Sequence, residues 1–115
     1  MADKVIHFEV CGKDGKRLQQ FYASLFGWKV DANNPMQYGL VSADPPGIGG
    51  GIAQSPTPMV TFYVAVADLA AALKKAEGLG GKTLMEPHQV PGGPQIAMFA
   101  DPEGNPIGLV KPESM

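Results

Sequence analysis

Apolar and polar residues alternate strictly from Val5 to Cys11: Ile6, Phe8 and Val10 form one row, and His7, Glu9 and Cys11 form the other. A period of two predicts a β-strand. Because successive side chains leave a strand on opposite faces, His7 and Glu9 must project to the same side. The period then lengthens. Leu18, Phe21, Tyr22, Leu25 and Phe26 recur at i, i+3, i+4, i+7 and i+8, which predicts a helix with one buried face. Asp14 stands where an N-cap would accept from an orphan backbone N–H, and Gly27 where a left-handed residue would end the helix. Strands are predicted at Trp28 to Val30, Gln37 to Val41 and Ile48 to Ile52. The run Gly49-Gly50-Gly51 weakens the last of these, since glycine adds backbone entropy and no packing surface.

The second half repeats the first. Met59 to Val64 lies over Val5 to Val10 at an offset of 54, and the same offset carries Asp14 onto Asp68 and Gly27 onto Gly81. Leu69, Ala72, Leu73 and Ala76 give a second helical face, stopped by Gly78, Gly80 and Gly81. Strands follow at Lys82 to Met85, Gln95 to Ala100 and Ile107 to Val110. Pro87 to Pro94 reads as a loop between the first two. Asp101-Pro102-Glu103-Gly104-Asn105 reads as a tight turn, with Pro presetting φ and Gly supplying the left-handed position. Ser55-Pro56-Thr57-Pro58 divides the halves, at about 1–55 and 56–115. Two copies are too few for a solenoid, so the expectation is a single domain over 1–115, an internal pair around one core.

Composition narrows the function classes. With 9 basic and 11 acidic residues among 115, the formal charge of −2 argues against a phosphate-backbone partner, so no nucleic acid is expected. No apolar run reaches membrane-spanning length, and the start lacks a signal-peptide pattern. One cysteine cannot form an intramolecular disulfide, which makes a cytoplasmic location the default. The many glycines and prolines favour short elements and hairpins over a helical bundle.

Phe21-Tyr22…Phe26-Gly27-Trp28, the Asp-Pro-Glu-Gly-Asn turn and the βαβββ repeat together resemble the glyoxalase / bleomycin-resistance / extradiol-dioxygenase superfamily, the vicinal oxygen chelate proteins. The resemblance covers almost the whole chain. It implies an α+β fold of two tandem βαβββ modules, with curved mixed sheets around a cleft and helices on the outer side, and a homodimer. In members that do chemistry, it implies one divalent metal held from the first, fourth, fifth and eighth strands. His7 matches the first position. The fourth falls within Gly50 to Ile52, the fifth on Thr61 and the eighth on Gly108, so three of the four lack a strong donor. No metal and no other cofactor is therefore expected, because a divalent ion needs several convergent ligands.

His7 and Glu9 remain the candidate catalytic pair. They can be read as a hydrogen-bonded lining of a pocket, as a metal-free acid–base pair, or as two ligands completed by Glu9 or His88 of the partner subunit. His88 itself reads as a solvated loop residue, and Cys11 as a small filler. Gly49-Gly50-Gly51 lacks the Gly-Lys-Ser/Thr ending of a phosphate loop. The leading expectation is metal-independent binding of a small apolar or aromatic molecule in a cleft. Ligand contacts are expected from His7, Glu9, Thr61, Tyr63, Trp28 and Met98, with Tyr38 and Phe99 as further candidate lining. The alternative is a metal-dependent lyase, isomerase or dioxygenase using His7 and Glu9 in a rearranged site.

Overall fold

The computed structural model describes residues 2–112. The elements run β1 (Lys4–Gly12), α1 (Gly15–Phe26), β2 (Val30–Asp31), β3 (Gly39–Val41), β4 (Gly49–Gln54), β5 (Met59–Ala65), α2 (Leu69–Gly78), β6 (Lys82–Gln89), β7 (Gln95–Ala100) and β8 (Pro106–Lys111). This is the α+β class, with one βαβββ module after another. Two compact units divide the chain: Ile6–Thr61, and the segment from Phe62 together with the N-terminal stretch up to Val5.

In the first unit the strands lie in the order β2-β3-β4-β1. β1 and β4 are parallel, and the other pairs antiparallel. Asp14 caps α1, its carboxylate accepting from the Arg17 N–H at 3.1 Å, and Gly27 ends it at φ 71°. The helix sits close to the sheet because glycines receive it. A Cβ on Gly12 would lie 2.6 Å from Leu18, and one on Gly39 would lie 2.8 Å from Gln19. Gln19 is polar in this contact because its amide donates to the carbonyls of Ile52 at 2.9 Å and Gln37 at 3.2 Å. Ile52 is fully buried on this helix-facing side, opposite Gly39 and beside Val10 in register. His7, Glu9, Cys11 and Gly51 occupy the other face, because Glu9 pairs with Gly51 across the β1–β4 ladder.

In the second unit the order is β5-β8-β7-β6, with β5 and β8 parallel and the others antiparallel. Asp68 caps α2 by accepting from the Ala71 N–H at 3.0 Å. Leu69 and Leu73 bury against Val66, Ala97 and Leu109, with Val64, Ala72 and Phe99 around them. Tyr63, Ala65 and Val110 form a second cluster with Ile96 on the opposite face.

Several expectations need correcting. α1 does not bury its whole apolar row. Leu18, Gln19 and Tyr22 turn inward, which rotates Phe21, Leu25 and Phe26 outward, each more than half exposed. The strand expected from Trp28 shrinks to Val30–Asp31, because Trp28 joins the aromatic side chains of the helix instead. β3 starts only at Gly39, since Gln37 adopts φ 53° and the Tyr38 N–H bonds to the Asn34 side chain. β6 runs on through Pro87 to Gln89, with two register shifts, at the edge of its sheet, where a missing N–H is tolerated. Gly80, at φ 100°, rather than Gly81, supplies the left-handed residue after α2.

The Asp101 turn forms as expected. Its carboxylate accepts from the backbone N–H groups of Glu103 and Asn105 at 2.9 Å and from the Asn105 amide at 2.8 Å, with Gly104 at φ 91°. These bonds hold the Asp101 carboxyl below its ordinary range, the Asn105 side chain contributing most.

Candidate functional site

On the open face of the first unit, His7 and Glu9 project together, as strand alternation requires. What joins them is Tyr38. Its hydroxyl lies 2.7 Å from His7 Nε2 and donates to Glu9 Oε2 at 2.8 Å. With the phenol proton directed at the carboxylate, the oxygen's lone pair accepts from His7, which places the neutral imidazole's proton on Nε2. The planes of the imidazole and phenol rings are nearly parallel, at 15° with centroids 6.1 Å apart. Cys11 completes the cluster by donating from Sγ to Glu9 Oε1 at 3.5 Å.

Backbone and loop chemistry bring Tyr38 there. Asn34 accepts from the Tyr38 N–H at 2.9 Å and donates to its carbonyl at 2.7 Å, so the loop before β3 is clamped around this residue. Gly51 makes the approach possible. A Cβ at that position would stand 1.8 Å from the Tyr38 hydroxyl oxygen and 1.9 Å from Cζ, closer than any real contact. On the reverse side of β4, Gly50 gives the Phe8 ring the same room, a Cβ there lying 2.4 Å from it.

Burial sets the electrostatics. Desolvation pushes the His7 imidazole below its ordinary value, against the opposing pull of Glu9. Burial, then the charge and hydrogen bond of Glu9, push the Cys11 thiol up to about 12. A thiol with that value stays protonated at neutral pH, so Cys11 is a donor here rather than a nucleophile.

The structure divides the residues singled out from the sequence. His7 and Glu9 come together. Trp28 lies on the other side of the sheet from them, 5.2 Å from Phe8 and 5.0 and 5.7 Å from Phe26 and Tyr22. Thr61 is buried and shares a face of β5 with Tyr63. In the second unit Gly108 lies between Tyr63 and Met98 in the sheet, and all three face away from α2. The Tyr63 ring covers Gly108 so closely that a Cβ there would lie 2.5 Å from it. Phe99 packs instead with the α2 core. His88 is exposed on β6. A crevice of about 570 Å³ in this unit is lined by Val64, Val66, Leu79 and Phe99 among others, Phe99 being the one candidate lining residue it includes. Its polar lining is Asp3, Asp68, Lys75 and Asp101, of which Asp68 and Asp101 are engaged in the α2 cap and the turn before β8; the hydrogen-bonded side-chain donors gather instead at His7 and Glu9.

A divalent ion does not fit these donors. His7 Nε2 and Glu9 Oε2 both meet one phenol oxygen, and the adjoining strand position, Gly51, is covered by the Tyr38 ring. Among the described residues no three His, Cys, Asp or Glu side chains are grouped to hold a metal.

A family model described as Glyoxalase-like domain matches residues 8–110, and the chain belongs to that family. Among curated proteins it is 28% identical over 111 residues to "Putative glyoxylase CFP32" of Mycobacterium tuberculosis and of Mycobacterium bovis, covering 84% of this chain. The chain spans about two fifths (41%) of the length of those relatives. Among solved structures, methylmalonyl-CoA epimerase from Mycobacterium tuberculosis superposes with a TM-score of 0.69 at 15% identity, over 94% of this chain and 87% of that one. The hypothetical protein BH1468 from Bacillus halodurans gives 0.72 at 13% identity, over 100% and 98%. At those identities the likeness is one of fold.

Proposed function

We propose that this glyoxalase-like domain binds a small apolar or aromatic molecule without a metal, on the sheet face that carries His7, Glu9 and Tyr38. The observation carrying this reading is the meeting of His7 Nε2 and Glu9 Oε2 on a single hydroxyl, with the Tyr38 ring over Gly51 beside them. An apolar surface with a few fixed polar groups suits orientation of a small organic molecule. Leu40, on the same face and half exposed, adds apolar surface beside the cluster. A solved methylmalonyl-CoA epimerase of this fold is in complex with methylmalonyl-CoA, which is in keeping with small-molecule binding. The reading includes a homodimer, supported by the uncovered Phe21, Leu25 and Phe26 of α1. A single monomeric species in sedimentation at high concentration would remove that part.

The decisive experiment is a thermal-shift screen of small aromatic and aliphatic compounds run with and without chelator. Stabilisers that act equally in both conditions are expected. Stabilisation that appears only on adding Zn, Ni, Mn or Fe, or stoichiometric metal in protein purified without chelator, would refute metal independence.

A further inference from the structure

We propose that the gap between His7 and Glu9 above Gly51 is a receptor for a ring-bearing hydroxyl, and that the Tyr38 phenol is its resident occupant, displaced when an external phenol binds. This rests on the small-molecule reading above and names the ligand class. Three observations carry it. One oxygen receives both polar contacts, 2.7 Å from an imidazole nitrogen and 2.8 Å from a carboxylate oxygen. With His7 in the tautomer the phenol sets, a guest both accepts and donates through the same atom, as a hydroxyl does and a carbonyl, a thioether or a protonated amine does not. The seat is flat: Gly51 presents only backbone, so a planar ring can lie where any Cβ would collide. The occupant sits on a loop rather than a strand. Tyr38 precedes β3, Asn34 bonds its backbone N–H and carbonyl, and Gln37 beside it sits at φ 53°, a conformation unfavourable for a residue with a Cβ. Rotation of one side chain would empty the seat without breaking a strand pairing.

The test uses p-cresol, the Tyr side chain as a free molecule, and toluene as its counterpart without the hydroxyl. In Tyr38→Ala, p-cresol is expected to bind at least about tenfold more tightly than toluene, from the two hydrogen bonds it restores. It is also expected to bind more tightly than to the unaltered protein, where Tyr38 competes. Its binding should shift the His7 imidazole resonances, and Glu9→Gln in the Tyr38→Ala background should erase most of the preference over toluene. Equal affinity for the two probes, or p-cresol binding that leaves His7 unmoved, overturns the proposal. If Tyr38→Ala does not fold, the unaltered protein decides it: p-cresol must shift the His7 and Tyr38 ring signals together, and no shift at saturating p-cresol counts against it. Compounds that stabilise the protein without disturbing His7 or Tyr38 would sink this assignment while leaving metal-free binding standing.

Discussion

Gly51→Ala is the sharpest perturbation of the cluster. The added methyl would stand 1.8 Å from the Tyr38 oxygen, 1.9 Å from Cζ and 2.2 Å from Cε2, so something must move. The obstructing atoms are the far end of a side chain, and the phenol rather than the β4 backbone should yield. Swinging out costs the bond to Glu9, about 1.5–3 kcal/mol for a charged partner, and that to His7, about 0.5–1.5 kcal/mol. Water recovers part of this, because both groups are only half buried. Removing a strand glycine returns about 0.5–1 kcal/mol through the unfolded chain. The net expectation is a loss of about 1–3 kcal/mol, read as a fall in urea midpoint at unchanged slope. The cycle with Tyr38→Ala isolates the cause. Once the ring is gone, Gly51→Ala should be neutral or slightly stabilising, giving a coupling of about 2 kcal/mol. Equal destabilisation in both backgrounds would mean that the strand itself is forced aside, and the reasoning about the phenol seat would be wrong.

Other expectations can be checked with less effort. Iodoacetamide should modify Cys11 far more slowly in the native than in the unfolded protein, and Glu9→Gln should speed the native reaction in part, removing the charge that adds to burial in raising the thiol; equal native and denatured rates would contradict this. The unfolded thiol ionises near 9.0 and the folded one at about 12, so across that window the native state holds the extra proton. This group's contribution to stability should therefore decline as pH rises, and a denaturation series at alkaline pH would reveal the slope. For His7 the direction is the opposite in pH: with its folded value lowered, the unfolded chain takes up a proton first on acidification. Stability should fall as pH drops below 6.5, and His7→Gln should flatten that portion of the profile. Asp14→Ala and Asp68→Ala should each cost about 1 kcal/mol by removing a helix cap, and should add, since they serve different helices in different units.

Local rules made much of this readable in advance. Asp14, Asp68, Gly27 and the Asp101 turn are decided within a few residues of chain, and each forms as its neighbours dictate. Alternation placed His7 and Glu9 together for the same reason. Tyr38 was legible as candidate lining, but its bridge between His7 and Glu9 was not, because its position depends on an asparagine four residues earlier, a left-handed glutamine and a glycine paired with Glu9 across a parallel ladder. None of these is periodic. The clue to the bridge was Gly51 itself, a glycine inside a strand, which signals that another group comes close. The orientation of α1 escaped for a related reason. Its apolar row predicts which residues could be buried, while the glycines at 12 and 39 decide which side of the helix meets the sheet.

The glycines of β4 have a consequence for strand alignment. With Gly49, Gly50 and Gly51 in succession, sliding the strand by one position so that Gly49 meets Phe8 and Gly50 meets Tyr38 would still offer a bare backbone to both rings. Aromatic seating alone is therefore blind to a slip. Ile52 is not: the same displacement would turn its fully buried side chain out of the helix-facing core, forfeiting about 1.5–3 kcal/mol. One isoleucine next to the triplet thus acts as the alignment key for both rings.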